Sequence, residues 1–144
     1  MTMRGTVFWM APEMVDTKQG YSAKVDIWSL GCVVLEMFAG KRPWSNLEVV
    51  AAMFKIGKSK SAPPIPEDTL PLISQEGRNF LDSCFEINPD LRPTADELLS
   101  HPFSKVYESF DFKQTTLAKF IRSNDILNSS KLRATSQEGL KKDI

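Results

Sequence analysis

One apolar helical segment constrains the fold of this 144-residue chain more than any other feature. Residues 22–39 read as one long helix, with Ser22 expected to cap its start and Gly40 to close its end in a left-handed conformation. Its apolar side chains cover nearly the whole helical circumference, so we expect burial on most sides. A chain this small must find an unusual amount of cover for such a helix. The apolar residues are Val25, Ile27, Trp28, Leu30, Cys32, Val33, Val34, Leu35, Met37 and Phe38.

Capping signals predict further helices on either side of a loop rich in Pro, Lys and Ser at residues 58–71. Ser45 with Glu48 three residues later predicts a capping box that opens a helix ended by Gly57. Residues 74–85 predict a third long helix from their apolar spacing.

The remainder of the chain contains weaker signals. Thr94 and Glu97 predict a second capping box for a short helix that Pro102 stops. Residues 115–121 predict one or two helical turns, and the polar residues 124–144 predict a disordered tail. We find no β pattern, so the chain is expected to be mainly α.

Composition excludes several classes of function. Hydrophobic residues make up 42% and charged residues 25% of the chain, and 18 basic residues balance 18 acidic ones. This balance gives no electrostatic reason to bind nucleic acid or an anionic membrane. Apolar runs such as Cys32 to Leu35 are too short to span a bilayer, and no secretory signal follows Met1. Cys32 and Cys84 predict buried, reduced thiols, and we expect a cytoplasmic protein, with the nucleus as the alternative.

Five short motifs follow one another in an order that indicates a family. They are Gly5-Thr6-Val7-Phe8-Trp9-Met10-Ala11-Pro12-Glu13, Asp26-Ile27-Trp28-Ser29-Leu30-Gly31, Pro43-Trp44, Arg92-Pro93-Thr94 and His101-Pro102-Phe103. Together they resemble the second half of a Ser/Thr protein kinase catalytic domain, from the end of the activation loop onward. In its details the sequence looks like a MAP kinase kinase kinase of the fungal cell-wall-integrity type.

The resemblance implies a fold and a domain boundary. Residues 1–103 would form part of the helical C-terminal lobe of a kinase, without the β-rich N-terminal lobe. Residues 104–144 would form a C-terminal tail that is partly disordered.

The resemblance also implies a substrate-binding segment. Gly5, Thr6, Val7, Phe8 and Trp9 match the P+1 loop, which positions the peptide substrate. Thr6 would help orient the substrate hydroxyl, or would be a simple turn threonine. Val7 and Phe8 would line the pocket for the residue after the phosphoacceptor.

Two further features follow from the same likeness. Thr2 lies where related kinases carry an activation-loop phosphosite, and a phosphate there would need an Arg partner, for which Arg4 is the nearby candidate. Glu13 and Arg92 would form a buried ion pair that anchors the P+1 loop, the alternative being two separate surface charges.

The long helix holds the remaining motif residues. Asp26 would lie inside the apolar helix as an unsatisfied acceptor, or would be a helix-start carboxylate near Ser22 that the helix dipole favours. Trp28 and Gly31 complete this structural motif. The three tryptophans are expected to serve packing, and His101 to end a helix.

The groups that carry out phosphoryl transfer are missing from the 144 residues. The chain contains no Gly-x-Gly-x-x-Gly, no Val-Ala-x-Lys, no His-Arg-Asp and no Asp-Phe-Gly. ATP and Mg²⁺ would therefore serve the intact family enzyme, and we expect neither to bind this chain, in which no catalytic or metal-binding residue is identified. The implied partners are a MAP kinase kinase-like substrate and an upstream kinase or GTPase pathway.

Three hypotheses remain at this point. The chain is part of a Ser/Thr kinase whose sequence begins late, at an internal Met. Alternatively, it is a genuine short binding module that competes for kinase substrates or regulators. The third hypothesis is a helical structural protein whose resemblance is due to chance.

Overall fold

The computed structural model describes residues 7–15, 20 and 22–124, which divide into two compact units between Lys105 and Val106. Helices dominate the described residues, and none of these residues lies in a β-strand. The predicted mainly α fold is therefore confirmed. The helices are α1 (Pro12–Val15), α2 (Lys24–Ala39), α3 (Val49–Gly57), α4 (Gln75–Cys84), α5 (Ala95–Leu99) and α6 (116–124), with 3₁₀ turns at Val7–Trp9, Leu70–Leu72, Pro102–Ser104 and Phe112–Gln114.

Of the two ends of α2, only the C-terminal end lies where the sequence predicted it. Gly40 closes the helix with φ +64° and donates its N–H to the Glu36 carbonyl, as predicted. The start was predicted too early, because Ala23 occupies the N-cap position. The Ser22 hydroxyl still accepts a hydrogen bond from the Lys24 N–H at 3.3 Å, so it assists the first turn from outside.

The expected burial of α2 on most sides is wrong for this structure. One face is buried and contains Trp28, Cys32 and Leu35. The opposite face carries Leu30, Val33 and Met37, which we call the α2 stripe, with exposed fractions of 41%, 40% and 77%. Positions three and four apart lie above one another on a helix, so these side chains form one continuous apolar surface.

The core of the first unit lies between α2 and α4. The rings of Trp28 and Phe85 meet edge to face, with 5.2 Å between their centroids. Gly31 permits the close approach of the two helices, because a Cβ built on it would lie 2.6 Å from the Cys84 Cβ.

A second cluster lies between the Val7–Trp9 turn and α3. Phe8 and Trp44 are both buried there, and Ala52 and Ile56 supply the surface of α3 that packs against them.

The helix caps confirm one of the two predicted capping boxes and contradict the other. Thr94 and Glu97 form the capping box of α5. The Ser74 hydroxyl, which was not predicted as a cap, accepts the Gly77 N–H at 3.1 Å at the start of α4. The box predicted at Ser45 and Glu48 is absent. The physical reason is that the chain turns at residues 44–47, where the Leu47 N–H donates to the Trp44 carbonyl, so α3 begins only at Val49.

The second unit contains a short turn followed by α6. Thr115 accepts a hydrogen bond from the Ala118 N–H at 3.1 Å, which is an N-terminal cap. Helical turns were predicted at 115–121, and the structure confirms them over 116–124. The disorder predicted for the tail concerns residues that lie almost entirely outside the described ones, and the boundary after Phe103 stays a prediction.

Candidate functional site

The segment from Val7 to Glu13 is held on the surface of α2 and α3. It begins with the 3₁₀ turn, in which the Met10 N–H donates to the Val7 carbonyl at 3.1 Å, and continues into α1. The Val7 and Phe8 residues are only 1% and 8% exposed, so their side chains are buried between this segment and the helices on which it lies. A direct role of these two residues in lining a substrate pocket stays a prediction. Thr2, Arg4, Gly5 and Thr6, which were also predicted to act here, lie outside the described residues.

Trp9 ties this segment to α2 through two hydrogen bonds. Its indole Nε1–H donates to Glu36 Oε2 at 3.1 Å, and its carbonyl accepts the Ser29 hydroxyl at 3.1 Å. Ser29 and Glu36 lie seven residues apart, which is two helical turns, so they project from the same side of α2. Trp9 is thus held to α2 through both its backbone carbonyl and its side chain.

Glu13 and Arg92 form the ion pair expected from the sequence. Arg92 Nη1 and Nη2 donate to the two Glu13 carboxylate oxygens at 2.7 and 3.1 Å, which is the bidentate geometry that a guanidinium favours. Arg92 also donates to the carbonyls of Lys24 at 2.7 Å and Glu86 at 2.9 Å, and its guanidinium carbon lies 5.2 Å from the Trp28 ring centroid. The Lys24 ammonium donates in return to the Arg92 carbonyl.

This pair joins parts of the chain that are far apart in sequence. The Arg92 side chain is fully buried and that of Glu13 is 11% exposed. One guanidinium thus connects α1, the start of α2 and the loop after α4, and it fixes the end of the Val7–Glu13 segment.

Asp26 does not occupy the position predicted for it. The sequence suggested a buried, unsatisfied acceptor, whereas Asp26 is exposed in the first turn of α2. Within the described ranges no buried side-chain nitrogen or oxygen lacks a hydrogen-bond partner. The alternative reading, a carboxylate placed favourably near the positive end of a helix dipole, agrees with this structure.

Both cysteines are free and buried between α2 and α4, as the sequence indicated. Burial raises the pKa of the Cys32 thiol to about 12, and the nearby Cys84 and Glu36 add to the effect. Burial also raises the pKa of the Cys84 thiol to about 12, although Arg92 acts in the opposite direction. Neither thiol is therefore a nucleophile at neutral pH.

No group of three or more His, Cys, Asp or Glu side chains is placed to hold a metal ion in the described residues. None of the described helices is long and apolar enough to cross a membrane.

Several residues of the site were missed by the sequence argument. Glu36 could have been found, because it is the only charged residue between Ile27 and Ala39 of the apolar helix. Ser29 lies within a motif noted above, and Arg42 lies beside one. The sequence pattern shows neither the bond from Ser29 to the Trp9 carbonyl nor the stacking of the Arg42 guanidinium on the Phe8 ring.

The helical fold and the order of the motifs place this chain among protein kinases. The family model described as "Protein kinase domain" matches residues 1–104, and the chain belongs to that family.

The three similar proteins below are Ser/Thr kinases or MAP kinase kinase kinases by name, so they identify the type of kinase that this chain resembles. The chain is 89% identical over 138 residues to serine/threonine-protein kinase BCK1/SLK1/SSP31 of Saccharomyces cerevisiae, a match that covers 96% of this chain and 9% of that protein. It is 58% identical over 118 residues to MAP kinase kinase kinase mkh1 of Schizosaccharomyces pombe, covering 81% and 11%. It is 50% identical over 103 residues to mitogen-activated protein kinase kinase kinase 3 of Arabidopsis thaliana, covering 72% and 16%. The resemblance to MAP kinase kinase kinases is thereby confirmed, and the chain spans only a small part of each of these relatives.

Proposed function

We propose that this chain is the substrate-positioning part of a Ser/Thr protein kinase of the MAP kinase kinase kinase type. The whole enzyme transfers the γ-phosphate of ATP to a Ser or Thr hydroxyl of a MAP kinase kinase. The observation that carries the proposal is the fixation of the Val7–Glu13 segment by Glu36, Ser29 and Arg92. A kinase must hold the acceptor peptide in line with the phosphate, and a rigid backbone platform provides that orientation.

Residues of the segment have distinct roles in this proposal. Gly5, Thr6, Val7, Phe8 and Trp9 act together as the P+1 loop. Thr6 helps to orient the acceptor hydroxyl, and Val7 and Phe8 line the pocket for the peptide residue after it. Glu13 and Arg92 hold the far end of the segment in place. Trp28 and Gly31 keep α2 close to the core below, and Thr2 is a site of activating phosphorylation.

The chemistry comes from outside these 144 residues. ATP and Mg²⁺ supply the phosphoryl group and neutralise its charge in kinases, and the sequence contains none of the motifs that bind them. The α2 stripe supports the idea of a larger protein, because an apolar surface of that kind is usually covered. In this proposal residues 1–103 are a partial kinase domain, residues 104–144 are a C-terminal tail, and the kinase acts in the cytoplasm below an upstream kinase or GTPase.

A chimeric kinase tests the proposal. The residues of this chain that align with the S. cerevisiae relative replace their counterparts in that full-length protein. We expect the chimera to phosphorylate a catalytically inactive MAP kinase kinase, and the isolated 144-residue chain to show no ATP-dependent transfer. Phosphotransfer by the rigorously purified isolated chain would contradict the proposal, as would a well-folded chimera without activity.

A substitution at Trp9 makes the test specific for the platform. Trp9→Phe removes the indole donor to Glu36 and retains an aromatic ring. We expect the KM for the protein substrate to rise by about tenfold, with the KM for ATP unchanged. Equal changes in both KM values would contradict a role in positioning the substrate.

A non-catalytic binding module is the second candidate function. It is favoured by one observation, namely that the Val7–Glu13 segment has its anchors within this chain alone. Calorimetric titration of the isolated chain with a MAP kinase kinase separates the two cases. Tight binding by the isolated chain together with an inactive chimera would favour the binding module.

A further inference from the structure

The loop that follows α2 is folded around one side chain. Arg42 Nη1 donates to the carbonyls of Pro43 at 3.3 Å and Trp44 at 2.9 Å, and Nη2 donates to the Leu47 carbonyl at 3.2 Å. These three acceptors fix the turn at residues 44–47. Trp44 adopts φ +56°, a left-handed conformation that a bulky residue takes only when its surroundings impose it.

The same guanidinium also covers the face of Phe8. Its central carbon lies 3.6 Å from the centroid of the Phe8 ring, which is close stacking of a cation on an aromatic face. The Phe8 ring also belongs to the cluster formed with Trp44, Ala52 and Ile56. Arg42 is therefore a direct link between the loop after α2 and the substrate-binding segment.

We propose that Arg42 is a positioning residue that fixes Phe8 and thereby sets the preference for the substrate residue after the phosphoacceptor. The part of this inference that concerns the substrate rests on the function proposed above. Arg42 acts through Phe8 and touches no reacting atom. Movement of Phe8 would shift the backbone of the Val7–Trp9 turn, which is the surface assigned to that substrate residue.

The chemistry of the side chain explains why arginine suits this position. A planar guanidinium can stack on an aromatic ring with its face while its edge donates to several carbonyls. A lysine ammonium is a point charge that cannot make three fixed carbonyl contacts and a stacked contact at once. Arg42→Lys should therefore retain only part of the carbonyl hydrogen bonding and ring contact that Arg42→Ala removes.

The neighbouring Lys41 provides a matched control. Its ammonium pairs with Asp68 at 3.4 Å, and both side chains are well exposed, at 40% and 74%. Lys41→Ala removes a positive charge one residue away from Arg42 without touching Phe8. If loss of positive charge were the cause, Lys41→Ala and Arg42→Ala would have similar effects. If the position of Phe8 is the cause, only Arg42→Ala should have an effect.

Hydrogen exchange on the full 144-residue chain tests the structural part of the inference. We expect Arg42→Ala to lower the protection of the Met10 amide by about tenfold, Arg42→Lys to lower it less, and Lys41→Ala to leave it unchanged. Protection of the α4 amides should remain the same in all three variants. Unchanged protection at Met10 in Arg42→Ala would overturn the inference.

If Arg42→Ala also lowers α4 protection, Phe8→Leu gives the answer instead. This variant keeps an apolar side chain and removes the aromatic face on which Arg42 stacks. We expect Phe8→Leu to lower the exchange protection of the Met10 amide in the same way, while the protection of the α4 amides stays unchanged. Full protection at Met10 in Phe8→Leu would contradict a role for the stacked contact.

Kinetics of the chimeric kinase test the functional part. Two peptides that differ only in an apolar or a charged residue after the phosphoacceptor are compared. Arg42→Ala should reduce the preference between them by about tenfold through KM, with kcat unchanged, and Arg42→Lys should restore part of it. A loss of kcat without a change in preference would overturn the inference. An inactive unsubstituted chimera would count against the proposed function, while the exchange data would still decide the role of Arg42 in positioning Phe8.

Discussion

Arg92 links more parts of this molecule than any other side chain of the site. It contacts Glu13 from α1, the Lys24 carbonyl at the start of α2 and the Glu86 carbonyl after α4, and no part of its side chain is exposed. A buried cation of this kind is tolerated because its donors are directed to fixed acceptors. Its removal would leave Glu13 and two carbonyls without their partner.

Truncation of Arg92 should therefore be among the most costly single changes. We expect Arg92→Ala to lower the free energy of unfolding by about 3–5 kcal/mol, because it breaks a buried ion pair from one side. Urea denaturation followed by circular dichroism measures this. Arg92→Lys should recover little, because lysine lacks the planar fork that grips both Glu13 oxygens.

An exposed ion pair supplies the control for Arg92. Lys41 and Asp68 form a pair of opposite charge on the surface, and loss of Lys41 should cost only about 0–1 kcal/mol. Similar losses for Arg92→Ala and Lys41→Ala would show that burial of the Glu13 pair contributes nothing.

At the scale of elements, the contact between α2 and α4 depends on Gly31. An alanine usually stabilises a helix interior relative to glycine by about 0.5–1 kcal/mol. Here the added Cβ would lie 2.6 Å from the Cys84 Cβ and 3.0 Å from Phe85 Cε1, so the helices must move apart. We expect Gly31→Ala to destabilise the chain by about 1–3 kcal/mol, measured by thermal unfolding. Val33→Ala on the exposed face is the control, and a higher melting temperature for Gly31→Ala would contradict the argument.

The capping box of α5 should respond to pH. The Glu97 carboxylate accepts hydrogen bonds from the Thr94 N–H and hydroxyl, which lower its pKa below the ordinary value of 4.5. A lowered pKa in the folded chain means that this stabilisation is present above pH 4.5 and is lost as the pH falls through the lowered value.

Comparison with Glu97→Gln isolates that contribution. The amide keeps a similar shape and does not titrate, so the stability difference between the two proteins should shrink in acid. Denaturation at a series of pH values between 3 and 7 measures the difference. A difference that stays constant over this range would argue against the cap as its source.

On the scale of the whole molecule, the α2 stripe should govern solubility. Leu30, Val33 and Met37 belong to none of the three core clusters, so replacing all three with Gln should leave those clusters intact. We expect the triple variant to stay monomeric at concentrations where the parent chain self-associates, with a similar melting temperature. Sedimentation velocity measures the association. Leu35→Ala on the buried face is the control, and it should lower stability by about 2–5 kcal/mol without improving solubility.

Much of this fold could be predicted from the sequence, because the signals involved are local. Gly40 and the Thr94–Glu97 box fixed helix ends correctly, since a cap depends on residues within one turn. The box at Ser45 failed because the chain forms a turn at residues 44–47, where the Arg42 guanidinium donates to the Trp44 and Leu47 carbonyls, and no capping motif signals those bonds. The burial of α2 was overestimated because a hydrophobic pattern shows which surfaces require cover and does not show whether the chain provides it.

The residues of the site could be predicted from the sequence where they lie within recognisable motifs. Glu13 and Arg92 were found across a separation of 79 residues because both lie in recognisable motifs. The contacts of Trp9 with Glu36 and of Phe8 with Arg42 depend on how α2 and its following loop turn in space. Such geometry leaves no periodic signal in the sequence.

The two buried thiols have a practical consequence for studying this chain. Alkylating reagents attack the thiolate, and a pKa of about 12 leaves almost none of it at neutral pH while Cys32 and Cys84 stay enclosed. Each labelling event must then follow a transient separation of α2 from α4. Mass spectrometry of iodoacetamide incorporation over time would therefore report the opening of this interface in the native protein, with its own two cysteines as the labelled groups.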